Sequence, residues 1–137
     1  MNTDSTELII SKANIRYMSN AKWKKLFLAS ESFDGLIGGV VWKIVGSDST
    51  FINSLNVSNL LENDAYFGDC LPSPYLSLKS IESIFIPRSY SCRERGYREP
   101  LQKVNDLKGF KAHLESYGNF PVFESADGLK IRGYDWD

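Results

Sequence analysis

Histidine is nearly missing from this chain, with His113 the single example in 137 residues. Nucleophilic catalysis by serine or cysteine leans on a general base, most often histidine. That chemistry therefore has one candidate base, and we read His113 as a surface or boundary residue of a helix. Cysteine is scarce too, with only Cys70 and Cys92. A secreted domain of this size usually carries more, in disulfide-forming sets. The two lack metal-ligand spacing, and one histidine cannot complete a Cys/His zinc cage with them. The expectation is two free thiols, no metal and no cofactor.

An excess of positive charge is also absent. The formal net charge is −1, which argues against bulk electrostatic binding to nucleic acid. No stretch approaches the roughly 20 apolar residues of a membrane span. The opening MNTDSTELIISKANIRYM has acidic Asp4 and Glu7, no basic start and only a three-residue apolar run, so it does not read as a signal peptide. A soluble cytoplasmic protein with no membrane partner is expected.

What is present suits one ordinary globular domain over residues 1–137, with residues 1–18 open to being a loosely attached segment. Hydrophobic residues make up 42% and charged residues 24%, close to globular averages. Aromatics reach 13%, which speaks against disorder.

Periodicity predicts an α+β fold. Thr3 or Ser5 caps a first helix, with Leu8, Ile9, Ile15 and Met18 on a loosely helical spacing. Ser19 or Asn20 caps a clearer second helix, in which Trp23, Leu26 and Phe27 fall at i, i+3 and i+4. Residues 36–45 and 50–57 read as strands, and Ile81–Ile86 as another that Pro87 ends. Residues 88–100 read as a long loop. Val104, Leu107, Phe110, Leu114 and Tyr117 trace a helix over 104–117, closed by Gly118. Two strands then flank the Asp127-Gly128 turn. Short connections favour an antiparallel sheet of about four to six strands. The expected core is Trp23, Leu26, Phe27, Trp42, Ile44, Ile84, Ile86, Leu107, Phe110, Leu114, Phe123 and Ile131.

No catalytic signature emerges. Gly35-Leu36-Ile37-Gly38-Gly39 matches neither the dinucleotide fingerprint nor the P-loop. The carboxylates Glu62, Asp64 and Asp69, and Asp135 with Asp137, sit in polar stretches, where a glycosidase would need a pair poised across a cleft. The chain is therefore read as a non-enzyme. The loop residues Arg93, Arg95 and Arg98 interleave with Tyr90 and Tyr97, a basic and aromatic mixture suited to single-stranded nucleic acid or a phosphate ligand. With Arg88 the loop holds four arginines, Glu94 and Glu99 halve that charge to +2, and pairing with the acidic block is the simpler alternative.

Charge is unevenly distributed. Residues 31–69 hold one cation, Lys43, and six carboxylates, net −5, while residues 1–30 and 70–118 are each net +3. A surface of that sign suits a basic partner. Glu62, Asp64 and Asp69 bracket Tyr66 and Phe67, an arrangement of aromatic anchors amid charge that interfaces reward; the alternative is an ordinary exposed connection whose aromatics tuck into the core.

Asn20-Ala21-Lys22-Trp23 with its short amphipathic helix, the strand Ile81–Ile86, and the closing helix, Asp127-Gly128 and Ile131-Arg132-Gly133-Tyr134 resemble an uncharacterised family of small bacterial proteins. In that family an Asn-x-x-Trp helix opens an α+β domain, and its members resemble immunity proteins of contact-dependent inhibition and related polymorphic toxin systems. The resemblance implies a protein that binds and neutralises a cognate toxin, a nuclease type fitting best, by covering its active or substrate-binding site. It carries over no catalytic residue. The partner would be a basic protein domain rather than nucleic acid, met through Glu62, Asp64, Tyr66, Phe67 and Asp69. The alternative is a small nucleic-acid- or phosphate-ligand-binding protein or enzyme using the arginine-rich loop 88–98.

Overall fold

The structure, a computed structural model, describes residues 3–35, 37–61, 67, 76–92 and 98–136. In chain order its elements are α1 (Thr3–Ser11), β1 (Ile15–Arg16), α2 (Asn20–Glu31), β2 (Val41–Ile44), β3 (Thr50–Ile52), β4 (Ile81–Pro87), β5 (Ser89–Cys92), β6 (Leu101–Val104), α3 (Leu107–Glu115), β7 (Val122–Glu124), β8 (Gly128–Arg132) and β9 (Tyr134–Asp135). Short 3₁₀ turns occupy Ser58–Leu60 and Leu78–Ser80. The expected α+β architecture is present. Five antiparallel strands form the main sheet in the order β3-β2-β4-β8-β7, and β1–β9 and β5–β6 are separate antiparallel pairs.

Local chemistry explains the helices. The Ser19 hydroxyl accepts from the Lys22 amide at 3.2 Å, capping α2 and satisfying an amide that the helix leaves free. Trp23, Leu26, Phe27 and Ser30 then form the buried stripe. Asp106 caps α3 in the same way, accepting from Gly109 at 3.0 Å, and Leu107, Phe110 and Leu114 face inward.

Register sets the two faces of the sheet. Phe51, Trp42, Ile84, Ile131 and Val122 lie directly across from one another and face α2 and α3. Phe27 of α2 stacks on Trp42 at 5.6 Å between ring centroids, Trp23 stacks on Phe27 at 6.0 Å, and Phe67 tilts against both Phe27 and Trp42. Rings in such contact add about 0.5–1.5 kcal/mol per pair beyond their area burial. Because side chains alternate along a strand, Ile52, Val41, Phe85, Lys130 and Phe123 make the corresponding row on the opposite face.

Several expectations need correction. The helix expected over 104–117 begins only at Leu107; Val104 ends strand β6 and is 73% exposed. Asn105 is the reason. Its side chain is buried and bonded to the backbone of a distant turn, so the chain cannot yet wind into a helix. The long loop expected over 88–100 instead contributes β5, which pairs with β6 just beyond it; the pairing lay across a segment without periodicity of its own. The strand over 36–45 shrinks to 41–44, because Gly39 takes a left-handed φ of 66° and lies against the Tyr90 side chain, where a Cβ would have no room. That over 50–57 shrinks to 50–52, although Leu55 and Val57 remain buried. The first helix stops at Ser11: Ile15 belongs to β1, and Met18 is a core residue outside any helix.

Of the expected core, Ile44 is only partly buried and Phe123 is 41% exposed. Phe123 sits on edge strand β7 and points away from the helices, so alternation sends it out while Val122 goes in.

Candidate functional site

Glu62, Asp64, Tyr66 and Asp69, and the loop residues Arg93 and Arg95, lie outside the described residues. Phe67 does not: its ring is fully buried among Phe27 and Trp42. It was expected as an aromatic contact for a partner and is instead a core residue, its backbone held by a bond from its amide to the Leu76 carbonyl at 2.9 Å. Arg98 is exposed just before β6.

Of the acidic block's described carboxylates, Asp48 lies in the turn between β2 and β3, and the other two stand at the C-terminal end of α2. Glu31 and Asp34 are both exposed there. The Glu31 carboxylate accepts from the Ser58 hydroxyl at 2.5 Å, tying α2 to the Ser58–Leu60 turn. Leu28, one turn earlier on the helix, is 49% exposed. The negative end of the helix dipole adds to the field of the two carboxylates. Beside them a cavity of about 70 Å³ opens between the helix end and residues 54–56, lined by Ser30, Phe33, Ile37 and Phe110 among others. Its small size suits a side chain better than a substrate.

Next to this acidic end stands a constellation that resembles a catalytic pair. His113 Nε2 is 2.8 Å from the Ser32 hydroxyl, and the Tyr117 hydroxyl is 2.7 Å from the same oxygen. The same Nε2 also lies 2.9 Å from the Ala29 carbonyl. A carbonyl only accepts, so Nε2 carries the proton and is no base toward Ser32. Ser32 itself donates to the Ala29 carbonyl at 2.9 Å, and Tyr117 then donates to Ser32. The trio caps the last turn of α2 from α3, where helix carbonyls lack partners.

No family model, no curated protein and no solved structure matches the chain. Function has to be read from the surface itself.

Among the described residues no group of three His, Cys, Asp or Glu could hold a metal ion, and no helix is long and apolar enough to cross a membrane. A cleft of about 430 Å³ lies between α3 and β8, lined by Arg88, Lys108, Lys111, Glu115 and Glu124 among others. Lys111 and Glu124 bridge it at 2.9 Å. That hydrogen bond, with the attraction between the charges, holds the Glu124 carboxyl below its ordinary range and pushes the Lys111 ammonium up. Both groups are solvent-exposed, where such a pair contributes little.

Tyr117 and Leu28 went unmarked as surface features in the sequence. Tyr117 continues the apolar stripe of α3, and only the structure shows it half outside the core. Leu28 lies off the Trp23, Leu26, Phe27 stripe, on the side of Lys24, Lys25 and Glu31, and that spacing could have marked it as exposed.

Proposed function

We propose that this protein is an immunity protein, which binds a basic, nuclease-type toxin domain in the cytoplasm and covers its active or substrate-binding site. The observation that carries the reading is the exposed Leu28 set beside Glu31 and Asp34 at the negative end of α2, with Tyr117 exposed nearby beside Ser32. An exposed apolar and aromatic pair with two carboxylates at hand suits a cationic partner, and the cation that reaches this end among the described residues, Lys25, lies against Gly118. Carboxylates so placed speed encounter with such a partner. The acidic stretch continues in sequence through Glu62, Asp64 and Asp69. The likeness of Asn20–Trp23 and of the closing hairpin to immunity families of toxin systems supports the same reading.

Co-expression tests it. The chain should rescue growth when produced with the toxin domain encoded beside it, and the purified pair should associate. The reading fails if cells die and the two proteins ignore each other in solution.

A second reading has one observation in its favour. Arg88, at the root of the β5–β6 arm, joins Lys108 and Lys111 around the 430 Å³ cleft, which would suit a small phosphate ligand. Inorganic phosphate should then raise the melting temperature of the wild type but not of Lys108→Glu; no phosphate effect removes this reading.

A further inference from the structure

The face of the main sheet turned away from α2 and α3 carries a different chemistry from the rest of the molecule. Two rows cross it. The first runs Ile52, Val41, Phe85, Lys130, Phe123, and the second Thr50, Lys43, Ser83, Arg132. These nine positions hold three cations and no carboxylate, in a chain whose totals are 16 basic and 17 acidic residues. Ile52, Lys130 and Phe123 are exposed, and Phe85, Lys43 and Arg132 are partly so.

The cations and rings alternate. Lys130 sits on β8 between Phe85 on β4 and Phe123 on β7, so the two rings are two strands apart, roughly 10 Å. Lys130 makes no hydrogen bond or ion pair with any described residue. At the corner the Arg132 guanidinium lies 5.4 Å from the Phe123 ring centroid and 5.9 Å from that of Tyr17, and Tyr17 meets Phe123 edge-on at 5.7 Å. Two carboxylates among the described residues reach this face. Glu82, on the central strand β4 where the register with β2 shifts, pairs with Lys43 at 2.6 Å, and Asp135 of β9 pairs with Arg132 at 3.4 Å, which leaves Lys130 as the face's cation without a partner among the described residues.

We propose that this face binds single-stranded nucleic acid, with Phe123 and Phe85 stacking bases and Lys130, with Lys43 and Arg132 beside it, meeting phosphates. Sheet faces that present aromatic rings among cations take unpaired bases because every base has a π-face and every linker a negative charge. A protein interface would place an apolar core at the centre of the row, where this face has a lysine. A basic partner of the kind proposed above would be repelled here, so this inference stands or falls apart from that reading.

Fluorescence anisotropy with a labelled oligothymidine of about 15 nucleotides at low salt tests it. Binding should be salt-dependent and outcompeted by unlabelled single strand more readily than by duplex. Phe123→Ala should weaken it about tenfold, Phe123→Trp should retain it, and Lys130→Glu should weaken it and flatten the salt dependence. Melting temperatures of Phe123→Trp and Lys130→Glu should stay near wild type, and that of Phe123→Ala should fall modestly with the lost Tyr17 and Arg132 contacts while the protein stays folded. No binding at about 100 μM protein overturns the proposal. So does binding that survives both Phe123→Ala and Lys130→Glu, or competition by polyglutamate equal to that by single strand, which would mark a surface that reads charge alone.

Discussion

Asn105 grips the backbone of Gly38 at both ends: its side-chain oxygen accepts the Gly38 amide at 3.0 Å, and its side-chain nitrogen donates to the Gly38 carbonyl at 2.9 Å. The same nitrogen donates to the Pro87 carbonyl at 2.7 Å, and the Asn105 amide donates to Arg88. One buried side chain thus joins the entry to β2, the exit of β4 and the start of α3. No other residue type offers this set of one acceptor and two donors in so short a side chain.

Removing it should be costly. Asn105→Ala leaves three backbone groups without partners in a buried site, and the loss should be about 2–4 kcal/mol. Asn105→Asp keeps the shape but cannot donate, and should be at least as damaging because it also buries a charge. Urea unfolding with an unchanged m-value checks both. A loss under about 0.5 kcal/mol for the alanine variant would show that the lock is dispensable.

Phe67 provides a second test, since its place in the core replaces the expected surface role. Phe67→Ala should lower stability by about 3–5 kcal/mol, the cost of a ring-sized hole. A near-neutral change would put the ring back among the surface aromatics.

Ser32 should be chemically inert. With Nε2 of His113 protonated toward the Ala29 carbonyl, nothing draws the proton from the serine hydroxyl. A fluorophosphonate probe should not label Ser32, and His113→Ala should cost about 1 kcal/mol of stability through the lost cap. Stoichiometric labelling abolished by the same substitution would reveal a nucleophile.

Alkaline pH should weaken the fold through Tyr134. Burial pushes its phenol above the usual value of 10.0, and its hydroxyl donates to the Lys79 carbonyl at 2.5 Å. The folded state therefore holds this proton more tightly than the unfolded chain does. The stabilisation is complete below about pH 10 and is lost as the pH rises through the folded value. Thermal melts between about pH 9 and 12 should fall more steeply for wild type than for Tyr134→Phe. Parallel curves would contradict this.

The sequence displayed what repeats with a short period. The stripe Trp23, Leu26, Phe27 and the stripe Leu107, Phe110, Leu114 located two helices, and the Asp127-Gly128 turn located the β7–β8 hairpin. It hid what depends on distant partners. β5 and β6 are each four residues long and pair across a polar loop, so neither announces itself alone. Val104 looks like the first apolar residue of a helix because the bond that stops the helix runs 67 positions back, to Gly38. The candidate site was legible as charge, in residues 31–69, but not as shape. That Leu28, Glu31 and Asp34 share one end of α2 follows from the helix, whereas the approach of Tyr117 to Ser32 spans 85 positions and no pattern encodes it. The alternation of Phe85, Lys130 and Phe123 across three strands likewise exists only once the register is set.

The immunity role is tested most directly by the rate at which the chain associates with the toxin domain encoded beside it, wild type against the double variant Glu31→Lys, Asp34→Lys. Both side chains are exposed, so the melting temperature should fall only by what the lost Glu31–Ser58 hydrogen bond contributes. Wild type should associate quickly at low salt, and the double variant should associate at least about tenfold more slowly, with a weaker salt dependence. Equal rates for the two would place the contact away from the end of α2, and the absence of any association by the wild type would contradict the immunity role itself.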